Sequence, residues 1–127
     1  MCNLFVNAES DMWESRTKSL RISGFVTSVR MENYFWRALE EIAERTGSTV
    51  NELVSTLYSE AMSAGHSERN FTSFVRVCAI RYYSLVARGE ISPTDKLELD
   101  SLPTTDILSR ESERWHKPGL MPEAKAG

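Results

Sequence analysis

The chain has 127 residues, of which 41% are hydrophobic and 26% charged, and its formal net charge is −3. That length suits one domain with tails, and the apolar content excludes a chain that is disordered throughout. No apolar run approaches the roughly 20 residues that span a bilayer. Cys2 and Cys78 lack metal-ligand spacing, and no secretory signal is expected from the first eleven residues. We therefore expect reduced thiols in a cytoplasmic protein.

The charge is unevenly distributed along the chain. Residues 1–15 carry three acids and no base, and residues 90–127 carry five bases and eight acids. Between them, residues 16–89 carry ten bases and seven acids, a net of +3. A mildly basic core between two acidic ends keeps nucleic acid among the candidate partners, because the distribution matters more than the total. Ordinary solvated charge explains the same pattern.

The first predicted elements are an N-terminal arm over residues 1–16 and an extended stretch from Lys18 to Met31. β-branched residues, and the near-alternation of apolar and polar positions after Gly24, favour a strand. Gly24 itself is expected to mark a bend or a break in that strand.

Two amphipathic helices are predicted next. Over residues 32–46 the apolar positions recur at helical spacing, and Gly47 stands where a helix stop is expected. Thr49 and Glu52 match a capping box, in which each side chain satisfies a backbone donor of the other residue. The second helix runs from there to about residue 63.

A third long helix is predicted over about 70–88, which closes a domain that spans residues 17–89. Its apolar residues spread around most of its circumference, which is typical of a helix buried in a larger body. Since the core is small, we expect this helix to pack against a second chain. Residues 90–127 are proline-punctuated and polar, and they predict a mostly flexible acidic tail with one weak helix near 106–115.

One strand followed by two amphipathic helices is the layout of the ribbon-helix-helix family. The stretch Thr-Ser-Val-Arg-Met-Glu-Asn at 27–33, the pair Phe35-Trp36, and Leu-Glu-Glu-Ile-Ala at 39–43 resemble a bacterial branch of that family with an added helix. The region 26–63 also resembles the Arc repressor pattern, most visibly at 47–51. The resemblance covers roughly residues 1–88.

The resemblance implies an intertwined homodimer in which one strand from each chain pairs antiparallel into a ribbon. Such a ribbon enters the DNA major groove in Arc and MetJ. The fold class is therefore expected to be mainly α, a ribbon-helix-helix with a third long helix. The residues expected in the dimer core are Val29, Met31, Phe35, Trp36, Leu39, Ile42, Leu53, Val54 and Leu57.

The strand predicts which side chains reach the groove. Successive side chains of a strand face opposite sides, so if Val29 and Met31 face the helices, then Val26, Ser28 and Arg30 face outward. The resemblance assigns this same outer set to base contacts.

Each of these three residues suits a different kind of base contact. Arg30 can donate to both O6 and N7 of guanine, Ser28 can contact several bases, and Val26 can only make apolar contact. Many relatives have a polar residue in place of Val26. An ordinary surface arginine on an edge strand, which could pair with Glu32, is the alternative for Arg30.

Phosphate contacts are predicted at two places. The start of the second helix, formed by Ser48, Thr49, Val50 and Asn51, exposes amide groups that can hold a phosphate. A plain helix cap without a ligand is the alternative there. Lys18 and Arg21, upstream of the strand, can reach phosphates as a basic arm, or be simply solvated.

The inventory of reactive residues argues against an enzyme. Neither His66 nor His116 has a Cys or paired carboxylate at ligand spacing, and Cys78 suits a core thiol. We expect no cofactor and no metal. The expected function is a homodimeric DNA-binding transcriptional regulator, a repressor in a bacterial cytoplasm and nucleoid, with tetramers possible on DNA. The alternative is a protein-interaction module, an antitoxin or adaptor, that uses the third helix and the acidic tail.

Overall fold

The computed structural model describes residues 2–119, which divide into one compact unit up to Leu97 and a second that starts at Glu98. The helices and strands are α1 (Cys2–Val6), β1 (Ser15–Ile22), β2 (Phe25–Glu32), α2 (Asn33–Thr46), α3 (Val50–Ser63), α4 (Phe71–Ala87) and α5 (Thr104–Trp115). Three short 3-10 turns lie at Ser10–Trp13, Glu68–Asn70 and Leu99–Ser101. The mainly helical ribbon-helix-helix class with additional helices is confirmed.

The extended stretch forms two strands rather than the single strand that was expected. A two-residue turn joins them, in which Ser23 and Gly24 both have positive φ, 51° and 84°. Two successive left-handed residues match the twist of a tight antiparallel hairpin. The partner of β2 is therefore β1 of the same chain, and Ser19 lies directly opposite Ser28. The break expected at Gly24 is this turn.

The inner face of the hairpin and the apolar faces of the helices form the core of the first unit. Leu20 and Ile22 from β1, and Val29 and Met31 from β2, are all buried, with Met31 at 0% exposure. The helices add the buried residues Trp36, Ala38, Leu39, Ile42, Ala43, Val54 and Ala61. Six of the nine residues expected in a dimer core are thus already buried within one chain.

The turn between α2 and α3 follows from local sequence. Gly47 adopts φ 74°, and the amide of Ser48 donates to the carbonyl of Ala43 at 2.8 Å, which is the hydrogen-bond pattern of a Schellman cap. Thr49 then caps α3, since its hydroxyl accepts from the amide of Glu52 at 3.1 Å. The Glu52 carboxylate accepts from that same hydroxyl at 3.0 Å rather than from a backbone donor.

Helix α4 buries one face and exposes another. Phe71, Val75, Ala79, Tyr82 and Leu85 face the core. On the other side Val77 is 52% exposed and Ile80 57% exposed. The helix is therefore apolar on a solvent-facing side as well, as its sequence predicts, and its packing against a second chain stays a prediction.

The segment after α4 returns to the body of the first unit. Ile91 and Leu97 are buried, and the amide of Leu97 donates to the carbonyl of Arg45 at 2.9 Å. The first unit therefore extends beyond residue 89, where the domain was expected to end. In the second unit, α5 coincides with the helix predicted near 106–115.

The packing of Tyr83 predicts a late ionisation. Burial raises the pKa of Tyr83 to about 12, and the carboxylate of Glu41 adds to the rise. An unfolded tyrosine ionises near pH 10, so the folded protein holds this proton longer. The resulting stabilisation is complete below about pH 10 and is lost as the pH rises toward 12.

Ultraviolet absorbance titration of the phenolates checks this prediction. The Tyr83→Phe variant should lack the last ionisation step of the folded protein, whereas Tyr34→Phe, which alters the more exposed ring in edge contact with Tyr83, should keep it. A Tyr83→Phe curve with the same final step as the wild type would contradict the assignment.

Candidate nucleic-acid interface

The hairpin presents an exposed face on the side away from the helices. Val26 is 66% exposed, and Ser28 and Arg30 are also exposed, whereas Val29 and Met31 between and beyond them are buried. The three side chains predicted to contact bases therefore lie on one solvent-facing surface. Whether they contact DNA stays a prediction.

The acid beside Arg30 is engaged elsewhere. The carboxylate of Glu32 accepts from Nε of Arg76 at 2.9 Å. The pKa of Glu32 is lowered, first by a hydrogen bond to its own backbone and then by Arg76. Within residues 2–119, Arg30 makes no ion pair, so the pair with Glu32 does not form, and an unpaired surface arginine stays the alternative to base contact. Its guanidinium remains available for a ligand.

The same face includes side chains from β1 that were not predicted as base or groove contacts. Thr17 lies opposite Arg30, Ser19 opposite Ser28, and Arg21 opposite Val26. These three β1 residues are exposed. These three pairs carry two arginines and no acid. The turn residues Ser23-Gly24 between two strand-like runs were the sequence signal that could have identified this pairing.

Lys18 and Arg21, which were predicted together as a basic arm, lie on opposite faces of β1. The ammonium of Lys18 lies 4.9 Å from the centre of the Trp36 ring and 3.8 Å from a carboxylate oxygen of Glu40. Lys18 thus faces α2, on the helix side of the hairpin. Of Lys18 and Arg21, only Arg21 shares the outward face with Arg30.

Side chains at the start of α3 are used to fix the helix. The amide oxygen of Asn51 accepts from the backbone N–H of Arg21 at 2.9 Å, and its amide nitrogen donates to the backbone carbonyl of Arg21 at 3.0 Å. The hydroxyl of Ser48 lies 3.1 Å from that of Thr46. Among Ser48, Thr49, Val50 and Asn51, the groups left for a phosphate are therefore mainly backbone amides of the first turn.

The two hydrogen bonds between the Asn51 side chain and the Arg21 backbone position two parts of the candidate interface. They join the N-terminus of α3 to β1 at Arg21, so the helix start and the outward face of the hairpin are held at a fixed spacing. Sequence reasoning did not find this contact, because it joins residues 30 positions apart. Nothing in the local pattern around Asn51 distinguishes it from a cap residue.

Three further properties of residues 2–119 concern metal binding, thiol reactivity and membrane spanning. Residues 2–119 contain no group of three or more His, Cys, Asp or Glu side chains that could hold a metal ion. Burial raises the pKa of the Cys78 thiol, with a smaller opposite effect from Arg81, which makes this cysteine less reactive. None of the helices in this part of the chain is both long and apolar enough to cross a membrane.

Comparison with known proteins gives a consistent result. A family described as "Ribbon-helix-helix domain" matches residues 15–83. A solved structure, described as an uncharacterized protein from Bordetella pertussis Tohama I, is 38% identical with a TM-score of 0.78. That likeness covers 100% of this chain and 98% of the other. No curated protein matches the sequence.

The family match begins at β1 and ends within α4, so it contains the whole outward face of the hairpin and the start of α3. Domains of this family are non-enzymatic and generally bind DNA as dimers, in transcription regulation or in toxin-antitoxin systems. The match covers more than half of the chain, and this protein belongs to the ribbon-helix-helix family.

Proposed function

We propose that this protein is a homodimeric, sequence-specific DNA-binding transcriptional regulator that acts as a bacterial repressor. The observation that carries the proposal is the outward face of the hairpin, where Arg30 is exposed and free of any acidic partner among the described residues. An antiparallel two-stranded ribbon fits the major groove. Arg30, Ser28 and Val26 then contact base edges.

Electrostatics supports the same surface. Four bases and one acid lie in β1 and β2. Arg21 and Arg30 lie on the outward face, whereas Lys18 is paired with Glu40 and the acid, Glu32, is paired with Arg76. The hairpin is therefore locally positive in a chain of net charge −3. Phosphates of the DNA backbone attract such a surface and release counterions. The amides at the start of α3 and the Arg21 side chain supply phosphate contacts beside the groove.

Replacing Arg30 by alanine is expected to relax sequence specificity at one base position in each half-site. A bidentate contact between arginine and guanine contributes about 1–3 kcal/mol of discrimination, so the preference at that position should fall by about 5- to 150-fold. Selection of sites from a random duplex pool, with wild type and Arg30→Ala in parallel at moderate salt, measures the change.

Arg37→Ala is the matched control, because this arginine is exposed on α2 and pairs with Glu40 at 3.2 Å. It should return the wild-type motif. An Arg30→Ala motif identical to that of the wild type would remove Arg30 from the base-contacting set. No enriched motif from a folded wild-type dimer would refute the proposed function.

The second candidate is a protein-interaction module, as in the toxin-antitoxin members of the family. Two exposed apolar surfaces favour it, the outer side of α4 with Val77 and Ile80, and α1 with Leu4 and Phe5. Under this alternative the acidic tail takes part in the contact, and the pool selection described above enriches no DNA motif.

A further inference from the structure

An ion pair joins the end of β2 to α4. Nε of Arg76 donates to a carboxylate oxygen of Glu32 at 2.9 Å, and the two side chains are 34% and 33% exposed. These residues are 44 positions apart in the sequence, and α4 packs against β2. Glu32 is the only acid in the sequences of β1 and β2. Arg76 therefore neutralises the one negative charge that the two strands carry.

Glu32 also lies close to Arg30 along β2. Side chains two positions apart in a strand start on the same side, and their Cα atoms are about 6.7 Å apart. The long side chains of a glutamate and an arginine can close that distance. In the structure the carboxylate is bonded to Arg76 instead, and Arg30 makes no ion pair within residues 2–119. Of two basic residues within reach of Glu32, the fold thus selects the one on α4.

The carboxylate of Glu32 is ionised at neutral pH. A hydrogen bond to its own backbone and the Arg76 side chain both lower its pKa. Without a basic partner on α4, this charge would attract the guanidinium of Arg30 and repel DNA phosphates. Both effects oppose base contact by Arg30, so the position of the Glu32 carboxylate matters for a DNA-binding face.

We propose that Arg76 is a positioning residue for DNA recognition, which holds Glu32 at α4 and thereby keeps Arg30 free to contact a base. This role rests on the proposed DNA-binding function. Arg76 acts through Glu32 and not by contact with DNA. Helix α4 then contributes to sequence specificity, although none of its residues belongs to the predicted base or phosphate contacts.

Base preference at the position that Arg30 contacts tests this role. Fluorescence anisotropy at fixed salt gives the dissociation constants for two duplexes. One is the site that the wild type enriches from the random pool, and the other has a changed base pair at the position that Arg30→Ala relaxes. The ratio of the two constants should fall by about two- to fivefold in Arg76→Met, the range by which an exposed ion pair can compete.

Two further variants separate positioning from a general loss of stability. Glu32→Gln added to Arg76→Met should restore the wild-type ratio, because the competing charge is gone. Arg76→Lys keeps a positive charge beside Glu32 and should also keep the ratio. Arg69→Met is the matched control for lost charge, since Arg69 is exposed and makes no ion pair within the described residues. It should leave the ratio unchanged.

Circular dichroism confirms that each variant is folded, and Arg76→Gln replaces Arg76→Met if the methionine variant is not. An unchanged ratio in the folded Arg76 variant would overturn the positioning role. So would a lowered ratio that Glu32→Gln does not restore, because the loss would then come from something other than the freed carboxylate.

Side-chain NMR tests the competition for Glu32 without DNA. The Nε–H resonance of Arg30 is identified by its loss in Arg30→Ala. Its position should be the same in the wild type and Glu32→Gln. It should differ between Arg76→Met and the double variant with Glu32→Gln, because Glu32 reaches Arg30 only when Arg76 is absent. Equal positions in these last two proteins would overturn the competition.

The possible failures are distinguishable. If the wild type enriches a motif but the Arg76→Met ratio is unchanged, the proposed function stands and the role of Arg76 fails. If the wild type enriches no DNA motif, the proposed function fails and the specificity role fails with it. The NMR comparison then still decides whether Arg76 keeps Glu32 away from Arg30.

Discussion

Replacing Trp36 by alanine is expected to lower the free energy of unfolding by about 3–5 kcal/mol. The indole is 2% exposed, and it is among the largest fully buried side chains of the chain. Its Nε1 donates to the carbonyl of Arg16, and the ammonium of Lys18 lies over its ring. Removing it leaves a cavity between α2 and β1 and leaves that carbonyl without its donor. Urea unfolding followed by circular dichroism measures the loss.

Two controls separate the causes of that loss. Trp36→Phe keeps most of the apolar volume and loses the hydrogen bond, so it should cost clearly less than alanine, with about 1 kcal/mol from the bond itself. Trp13→Ala removes an indole that is 55% exposed, so it should cost clearly less than Trp36→Ala. A Trp36→Ala variant as stable as Trp13→Ala would contradict the packing described for α2.

Replacing Arg45 by methionine is expected to release the segment from residue 90 to 97 and to cost about 2–3 kcal/mol. The guanidinium donates to the carbonyls of Ser92 and Asp95, the latter at 2.8 Å, and to the hydroxyl of Tyr82 at 3.0 Å. Methionine retains the apolar stem but none of these donors. Hydrogen exchange should accelerate at the amides of Ile91 and Leu97, and urea unfolding should report the global change.

Arg45→Lys is the sharper comparison, because it keeps the charge and loses the planar fork that reaches several oxygens at once. We expect it to resemble Arg45→Met more than the wild type. Arg37→Met, on the exposed side of α2, should change stability by less than about 0.5 kcal/mol. Unchanged exchange at Ile91 and Leu97 in both Arg45 variants would show that other contacts hold this segment.

Helices were predicted well because their signals are local. The expected range 32–46 differs from the observed Asn33–Thr46 by one residue, since Gly47 and Thr49 supply the stop and the cap within a few positions. Alternation along β2 likewise placed Val29 and Met31 inside and Arg30 outside. These features depend on periodicity and on the φ that glycine adopts freely, which a single sequence displays directly.

The candidate interface was predicted only in part, because long-range contacts select among the available side chains. Lys18 and Arg21 are equally basic in the sequence, yet Trp36 and Glu40 hold Lys18 on the helix side of the hairpin. Asn51 is a residue type common at helix caps, yet its side chain hydrogen-bonds to both the backbone N–H and the backbone carbonyl of Arg21. Nothing near these residues in sequence indicates either partner.

The sequence by itself determined the helices, their caps, and the inward and outward sides of β2. It also showed the resemblance to the ribbon-helix-helix family, and the comparison confirmed that this chain belongs to it. Only the tertiary structure decided that β2 takes β1 of its own chain as a partner and that Glu32 pairs with Arg76 rather than with Arg30. The physical reason is the range of the interactions. Helix periodicity and capping act over about four residues. The hydrogen bonds between Asn51 and the backbone of Arg21 instead join residues that are 30 positions apart in the sequence.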